Sequence, residues 1–93
     1  MKNDILKLEL KVKELKDAYK FISRLFLDNP TQQNIYINYK SKIRRQKSDI
    51  QTLFVKLETK RRLSGLPNKE YEKLSKLLQS FNSLIDNNIG YDN

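Results

Sequence analysis

The sequence predicts an all-α protein, a three-helix antiparallel bundle of coiled-coil-like hairpins around a long central helix. Three segments place apolar residues at alternating steps of three and four, which is the spacing of one helical stripe. Two proline-containing turns separate the segments, and no alternating run has a second run with which it could form a sheet. The chain has 93 residues, a length typical of one small domain.

The first segment is predicted as a helix over residues 3–27. Its stripe consists of seven residues in heptad spacing: Ile5, Leu8, Val12, Leu15, Tyr19, Ile22 and Phe26. Pro30 disfavours helix at the residue before it and suits the first position of a new helix. Asn29 is therefore predicted as the N-cap of the second helix. Because the turn is short, the two helices are expected to be antiparallel.

The second helix is predicted over residues 30–64. Its stripe repeats the same steps: Tyr36, Tyr39, Ile43, Gln46, Ile50, Leu53 and Leu57. Gln46 is the polar exception, which either fixes the register or marks a break where Ser48 or Asp49 caps a new helix. No Gly or Pro occurs between residues 31 and 64, and this favours one continuous helix.

The third helix is predicted over residues 69–86. Gly65 and Pro67 end the second helix, because Gly suits the left-handed position and Pro blocks continuation. The stripe of the third helix is Tyr71, Leu74, Leu78, Phe81 and Ile85, widened by Leu77 and Leu84. One domain is expected over residues 1–86, followed by a flexible tail over 87–93.

These stripes predict a modest core: Leu8, Val12, Leu15, Ile22, Ile43, Ile50, Leu53, Leu57, Leu74, Leu78 and Phe81. The predicted lengths let the outer helices overlap for only about 16 Å along the central helix. Apolar residues would then be left uncovered. A homodimer is therefore expected, with an apolar interface that draws on residues off the stripes: Leu10, Phe21, Ile37 and Val55.

Charge is concentrated on the second helix. The chain has 19 basic and 11 acidic residues, whereas residues 40–62 alone carry a net charge of +7. The predicted binding flank is basic: Lys40, Lys42, Arg44, Arg45, Lys47, Lys60, Arg61 and Arg62. Such a flank attracts an acidic protein surface or the phosphates of nucleic acid, and the sequence leaves both partners open.

Composition excludes several classes of function. The chain has no His and no Cys, which rules out Cys–His and Ser–His–Asp catalysis, His or Cys metal sites and disulfides. No catalytic residue, metal ligand or cofactor is predicted, so the protein is expected not to be an enzyme. No segment has the length and apolarity of a membrane span or a signal-peptide core, and the expected location is the cytoplasm.

The last third of the chain, SGLPNKEYEKLSKLLQSF followed by IGYDN, resembles the corresponding part of pediocin-like bacteriocin immunity proteins. The small, basic, Cys-free outline is also similar to theirs. The resemblance implies an antiparallel helical bundle whose C-terminal region selects a bacteriocin. The uninterrupted second helix departs from the four-helix pattern of that family. The outline is also similar to small phage or mobile-element proteins that inhibit a host machine.

The leading hypothesis is a non-catalytic adaptor or inhibitor that binds a partner protein through helical faces and the basic central helix. The alternatives are a basic nucleic-acid-binding regulator and an immunity-type protective protein.

Overall fold

The protein is three α-helices with no strand in the parts of the chain that the structure describes. The computed structural model describes residues 2–28, 33–64 and 68–89. The helices are α1 (Lys2–Asp28), α2 (Gln33–Ser64) and α3 (Asn68–Asn87). The all-α class is confirmed, and each helix begins and ends within three residues of its predicted limits.

The predicted turns lie outside the described residues. This applies to the Asn29 cap with Pro30, and to Gly65 with Pro67. Residues 90–93 of the predicted tail also lie outside them.

The end of α3 is held by Asn88. Its side-chain amide donates to the Leu84 carbonyl at 2.8 Å, and its backbone N–H donates to the Ile85 carbonyl at 3.0 Å. These bonds satisfy carbonyls that a helix C-terminus otherwise leaves without partners.

Side-chain pairs fix the helix directions. Asp4 pairs with Lys60 in α2, whereas Phe21 contacts Tyr39, so residue numbers rise along α1 as they fall along α2. The two helices are therefore antiparallel, as predicted.

The α3 helix runs antiparallel to α2 and parallel to α1. Leu6 and Lys73 line one groove between α1 and α3, and Leu27 and Asn88 line another near the far end of α3. α3 therefore lies beside α1 for its full length of about 30 Å. The expected overlap of about 16 Å is wrong, because α3 packs on α1 rather than simply returning along α2.

The α2 and α3 backbones are further apart than those of α1 and α3. Large side chains bridge this gap. The Phe54 and Phe81 rings lie 5.6 Å apart, and the Arg61 guanidinium lies 4.5 Å from the centre of the Tyr71 ring. The wide spacing leaves an open groove of about 530 Å³ between the two helices.

The core contains more side chains from α1 than from either other helix, because α1 contacts both neighbours. Its buried residues are Ile5, Leu8, Val12, Leu15, Ala18, Tyr19 and Ile22 from α1, Ile43, Ile50, Phe54 and Leu57 from α2, and Leu74 and Phe81 from α3. Nine of the eleven predicted core residues are among them. Leu53 is only partly buried, and Leu78 is 42% exposed because the α2–α3 gap leaves it open to solvent.

The α2 helix is continuous through Gln46, as predicted. Ser48 lies inside the helix, and its carbonyl accepts a bond from the Thr52 hydroxyl at 3.0 Å. The Oε1 atom of Gln46 is buried and has no hydrogen-bond partner.

Candidate functional site

The predicted basic flank occupies two separate regions of α2. Lys40 and Lys60 are 20 residues apart, which is about 30 Å along a helix. One group spans residues 40–47, and the other consists of Lys60, Arg61 and Arg62. The two groups lie in different electrostatic surroundings and are described in turn.

The C-terminal group is largely engaged with acids. Lys60 Nζ lies 3.3 Å from Asp4 Oδ2. The Arg61 side chain donates to Glu58 Oε1 through Nη2 at 2.7 Å and through Nε at 3.2 Å. The hydrogen bond from Lys60 lowers the pKa of Asp4, and the hydrogen bond from Arg61 lowers the pKa of Glu58. These contacts give Lys60 and Arg61 a structural explanation, whereas Arg62 is exposed.

The N-terminal group is not balanced by acids on its own helix. Residues 33–47 carry five cations and no acid. Lys42, Arg44 and Arg45 are exposed, while Lys40 and Lys47 are partly buried. Because the five residues take different directions around the helix, the surface of α2 is positive over a wide arc.

This charge belongs to one end of the bundle. Residues 13–28 and 33–47, which we call the turn end, carry nine cations and three acids. Their net charge of +6 is most of the +8 of the whole chain. The turn end is therefore the region most attractive to an anionic partner.

Two aromatic pairs join α1 to α2 at the turn end. Phe21 and Tyr39 have ring centroids 4.7 Å apart, and Phe26 and Tyr36 have centroids 5.4 Å apart. Such tilted pairs stabilise by about 0.5–1.5 kcal/mol beyond the area they bury. Burial raises the pKa of the Tyr39 phenol above its ordinary value near 10, so the phenol remains neutral at physiological pH.

Lysines lie against both tyrosines. Lys40 Nζ is 5.3 Å from the centre of the Tyr36 ring, and Lys42 Nζ is 5.3 Å from that of Tyr39. Both distances are within the range of a cation–π contact. The aromatic pairs thus hold part of the positive charge close to the bundle surface.

Exposed apolar side chains lie among these cations. Phe26 is 47% exposed, Ile35 48% and Ile37 52%, and Leu27 is also exposed. All four lie within a few residues of the α1–α2 turn. The turn end therefore presents a mixed apolar and basic surface.

The four residues of the predicted apolar interface are all exposed, but they do not form one patch. Leu10 and Phe21 lie on α1, about 16 Å apart along the helix axis. Ile37 belongs to the turn end, and Val55 lines the α2–α3 groove with Tyr71.

A third basic feature, on α1, was not predicted from the sequence. Lys16, Lys20 and Arg24 line an α1–α3 groove of about 470 Å³, and all three are exposed. None of them pairs with an acid whose side chain the structure describes, and Asp17, one turn before Lys20, is among those acids; the side chain of Asp28, one turn after Arg24, lies outside the described part. We call these three residues the α1 cation row.

The spacing of the row is the signal that could have found it. Like charges four residues apart destabilise a helix by about 0.2–0.5 kcal/mol per pair, and the row contains two such pairs in succession. Asp28, four residues after Arg24, offsets part of this cost at one end of the row, whereas Lys16 and Lys20 remain a like-charged pair.

Within residues 2–28, 33–64 and 68–89, no group of three or more side chains is suited to hold a metal ion. None of the helices in this part of the chain is long and apolar enough to cross a membrane.

No protein-family model matches the chain, and neither a curated protein nor a solved structure matches it. Function is therefore inferred from the surfaces of the bundle itself.

Proposed function

We propose that this protein is a small non-catalytic adaptor or inhibitor that binds an acidic surface of a partner protein through its turn end. The observation that carries the proposal is the mixture of exposed apolar residues and excess positive charge at that end. Ile35 and Ile37 are about half exposed within the same three turns of α2 as exposed Lys42 and Arg44.

A protein partner fits this mixture better than a bare polyanion does. Protein interfaces combine an apolar centre with a polar rim, and arginine and aromatic residues are enriched in them. Aliphatic side chains such as Ile35 and Ile37 gain little from phosphates but are stabilised by burial against another apolar surface.

The positive charge of the turn end also raises the rate of association with an acidic partner. A net charge of +6 on one end of the bundle steers an acidic partner toward that end and raises the association rate at low salt. Aromatic pairing between α1 and α2 keeps the surface rigid, so little ordering is needed on binding.

The test is affinity capture from the native host with matched charge reversals. Arg44→Glu with Arg45→Glu changes two exposed turn-end positions, and Lys56→Glu with Lys76→Glu makes the same charge change at exposed positions outside it. We expect the first pair to lose a partner protein that wild type and the second pair retain.

Ile37→Ser should weaken capture of the same protein without altering helix content, because Ile37 is an exposed apolar contact. Equal capture by all variants, or equal loss in both charge-reversed pairs, would contradict the proposal.

A further inference from the structure

We propose that the α1 cation row forms a second binding surface, one for the phosphate backbone of nucleic acid. The row belongs to the turn end, but it lies on a different face from Ile35, Ile37 and Arg44 of α2, in the groove between α1 and α3. The protein would then connect an acidic protein partner to a nucleic acid.

The first step rests on the regular geometry of the row. Lys16, Lys20 and Arg24 follow one another at four-residue intervals, so their backbone positions are separated by about 6 Å of helix rise. A nucleic acid strand is likewise a regular series of single negative charges. A straight row of exposed cations therefore faces several phosphates of one strand at once.

The lining of the groove is the second step. Apart from the row, its side chains with polar atoms are Tyr19, Ser23 and Asn88, and no acid is among the lining side chains that the structure describes. The Asn88 amide nitrogen donates to the Leu84 carbonyl, which fixes this side chain at the groove. Cations and polar groups without carboxylates are suited to an anionic ligand.

The availability of the cations is the third step. Lys60 and Arg61 are held by Asp4 and Glu58, whereas Lys16, Lys20 and Arg24 pair with none of the acidic side chains that the structure describes. Binding at the row therefore breaks no ion pair among those side chains, and counterions released from the nucleic acid favour the complex.

The contrast with the α2 face of the turn end decides between nucleic acid and an acidic protein. Leu27 is the most exposed apolar residue of the row groove, while Ile35 and Ile37 lie on α2. The cations of the row recur at regular intervals, and nucleic acid is the partner whose negative charges are both regular and most dense.

The experiment titrates fluorescent single-stranded and duplex DNA of mixed sequence with the full chain over a range of salt concentrations. The row variant carries Lys16→Gln, Lys20→Gln and Arg24→Gln. The matched control carries Lys7→Gln, Lys56→Gln and Lys76→Gln, which removes the same charge at exposed positions elsewhere.

We expect wild type and control to bind with a similar dependence of log affinity on log salt. The row variant should bind at least tenfold more weakly at low salt. Its slope should fall by about 2 for single strands or about 3 for duplex, since each lost phosphate contact contributes roughly 0.7 or 0.9.

Three outcomes would overturn the inference. They are equal weakening in both triple variants, no DNA binding by wild type at low salt, and binding of polyglutamate as tight as that of DNA. The last would assign the row to an acidic protein. Circular dichroism of each variant shows whether the fold is retained. Lys16→Arg with Lys20→Arg in the wild-type chain keeps both positive charges, so its affinity for DNA should equal that of wild type.

Failure here is separable from failure of the proposed function. The row variant leaves Arg44, Arg45 and Ile37 unchanged but removes three of the nine turn-end cations, so it should still capture the partner protein, with slower association at low salt. The Arg44→Glu, Arg45→Glu protein retains the row, and its salt slope for DNA should change less than that of the row variant.

Discussion

Lys60 near the end of α2 and Asp4 in the first turns of α1 form an ion pair at 3.3 Å that joins segments 56 residues apart in sequence. Both side chains remain partly exposed, at 45% and 39%. This ion pair joins the two helices at one end of the bundle. Phe26 and Tyr36 join them at the other end, beside the turn.

Asp4→Asn should make stability less dependent on acid pH. Because Lys60 lowers the pKa of Asp4 in the folded state, this carboxylate stabilises the fold above its unfolded pKa, and the contribution is lost as pH falls through the folded pKa. Wild type should therefore be the more stable at pH 7, and the two unfolding midpoints should converge as the pH falls below the ordinary value near 3.8.

Urea unfolding from pH 7 to pH 2 measures this difference, and 1 M salt should reduce it through screening. Asp49→Asn serves as the control, since Asp49 is exposed and makes no ion pair in the described chain. A constant gap between wild type and Asp4→Asn at every pH would show that the ion pair does not act through the charge of Asp4.

Leu57→Ala should cost about 2–5 kcal/mol of unfolding free energy, as expected for truncation of a buried leucine. Leu57, on the predicted stripe of the second helix, is 1% exposed, whereas Leu78, on that of the third helix, is 42% exposed. Leu78→Ala should therefore cost less than about 1 kcal/mol, since little apolar area is lost. Chemical denaturation of both variants tests the pair, and equal losses would mean that the α2–α3 groove is closed in solution.

The difference between Leu57 and Leu78 shows which buried residues the apolar spacing predicts and which it does not. A stripe with steps of three and four describes one seam, and α1 and α2 share such a seam, so most of their buried residues were predictable. α3 has a wider apolar face, and both sides of that face fit the spacing equally well. Which side packs on α1 depends on the α2–α3 distance, which only tertiary packing fixes.

Phe54 illustrates the same limit on α2. It follows Leu53, the stripe residue, yet Phe54 is 8% exposed and Leu53 only partly buried. The ring of Phe54 reaches across to Phe81, and this contact belongs to a second seam that a single stripe does not describe. The basic residues of α2 were likewise predicted from the sequence. The sequence did not show that Lys60 pairs with an acid while Lys42 and Arg44 are exposed, because that pairing depends on the position of Asp4 in the fold.

Gln46→Met should leave stability unchanged or raise it, by up to about 1–3 kcal/mol. The Oε1 atom of Gln46 is buried without a hydrogen-bond partner, and replacing an unsatisfied polar group by an apolar one of similar volume removes its desolvation cost. Thermal unfolding measures the change, with Gln51→Met at an exposed position as control. A clear drop in the melting temperature for Gln46→Met alone would show that its amide has a partner in solution.

Self-association remains a prediction, with α1 as the surface that carries it. Leu6 and Leu10 lie one turn apart on α1 and are 56% and 57% exposed, so burial against a second copy removes apolar area from water. The positive charge of the chain opposes association, and salt screens that repulsion. Light scattering at tens of micromolar should therefore give a mass above 11.1 kDa that increases with salt, the opposite of the salt dependence expected for anionic partners.

Leu10→Lys should restore the monomer, whereas Leu63→Lys, at a position that is 84% exposed near the end of α2, should leave association unchanged. A monomer at every salt concentration, or equal effects of the two substitutions, would show that the exposed leucines of α1 do not bring two copies together.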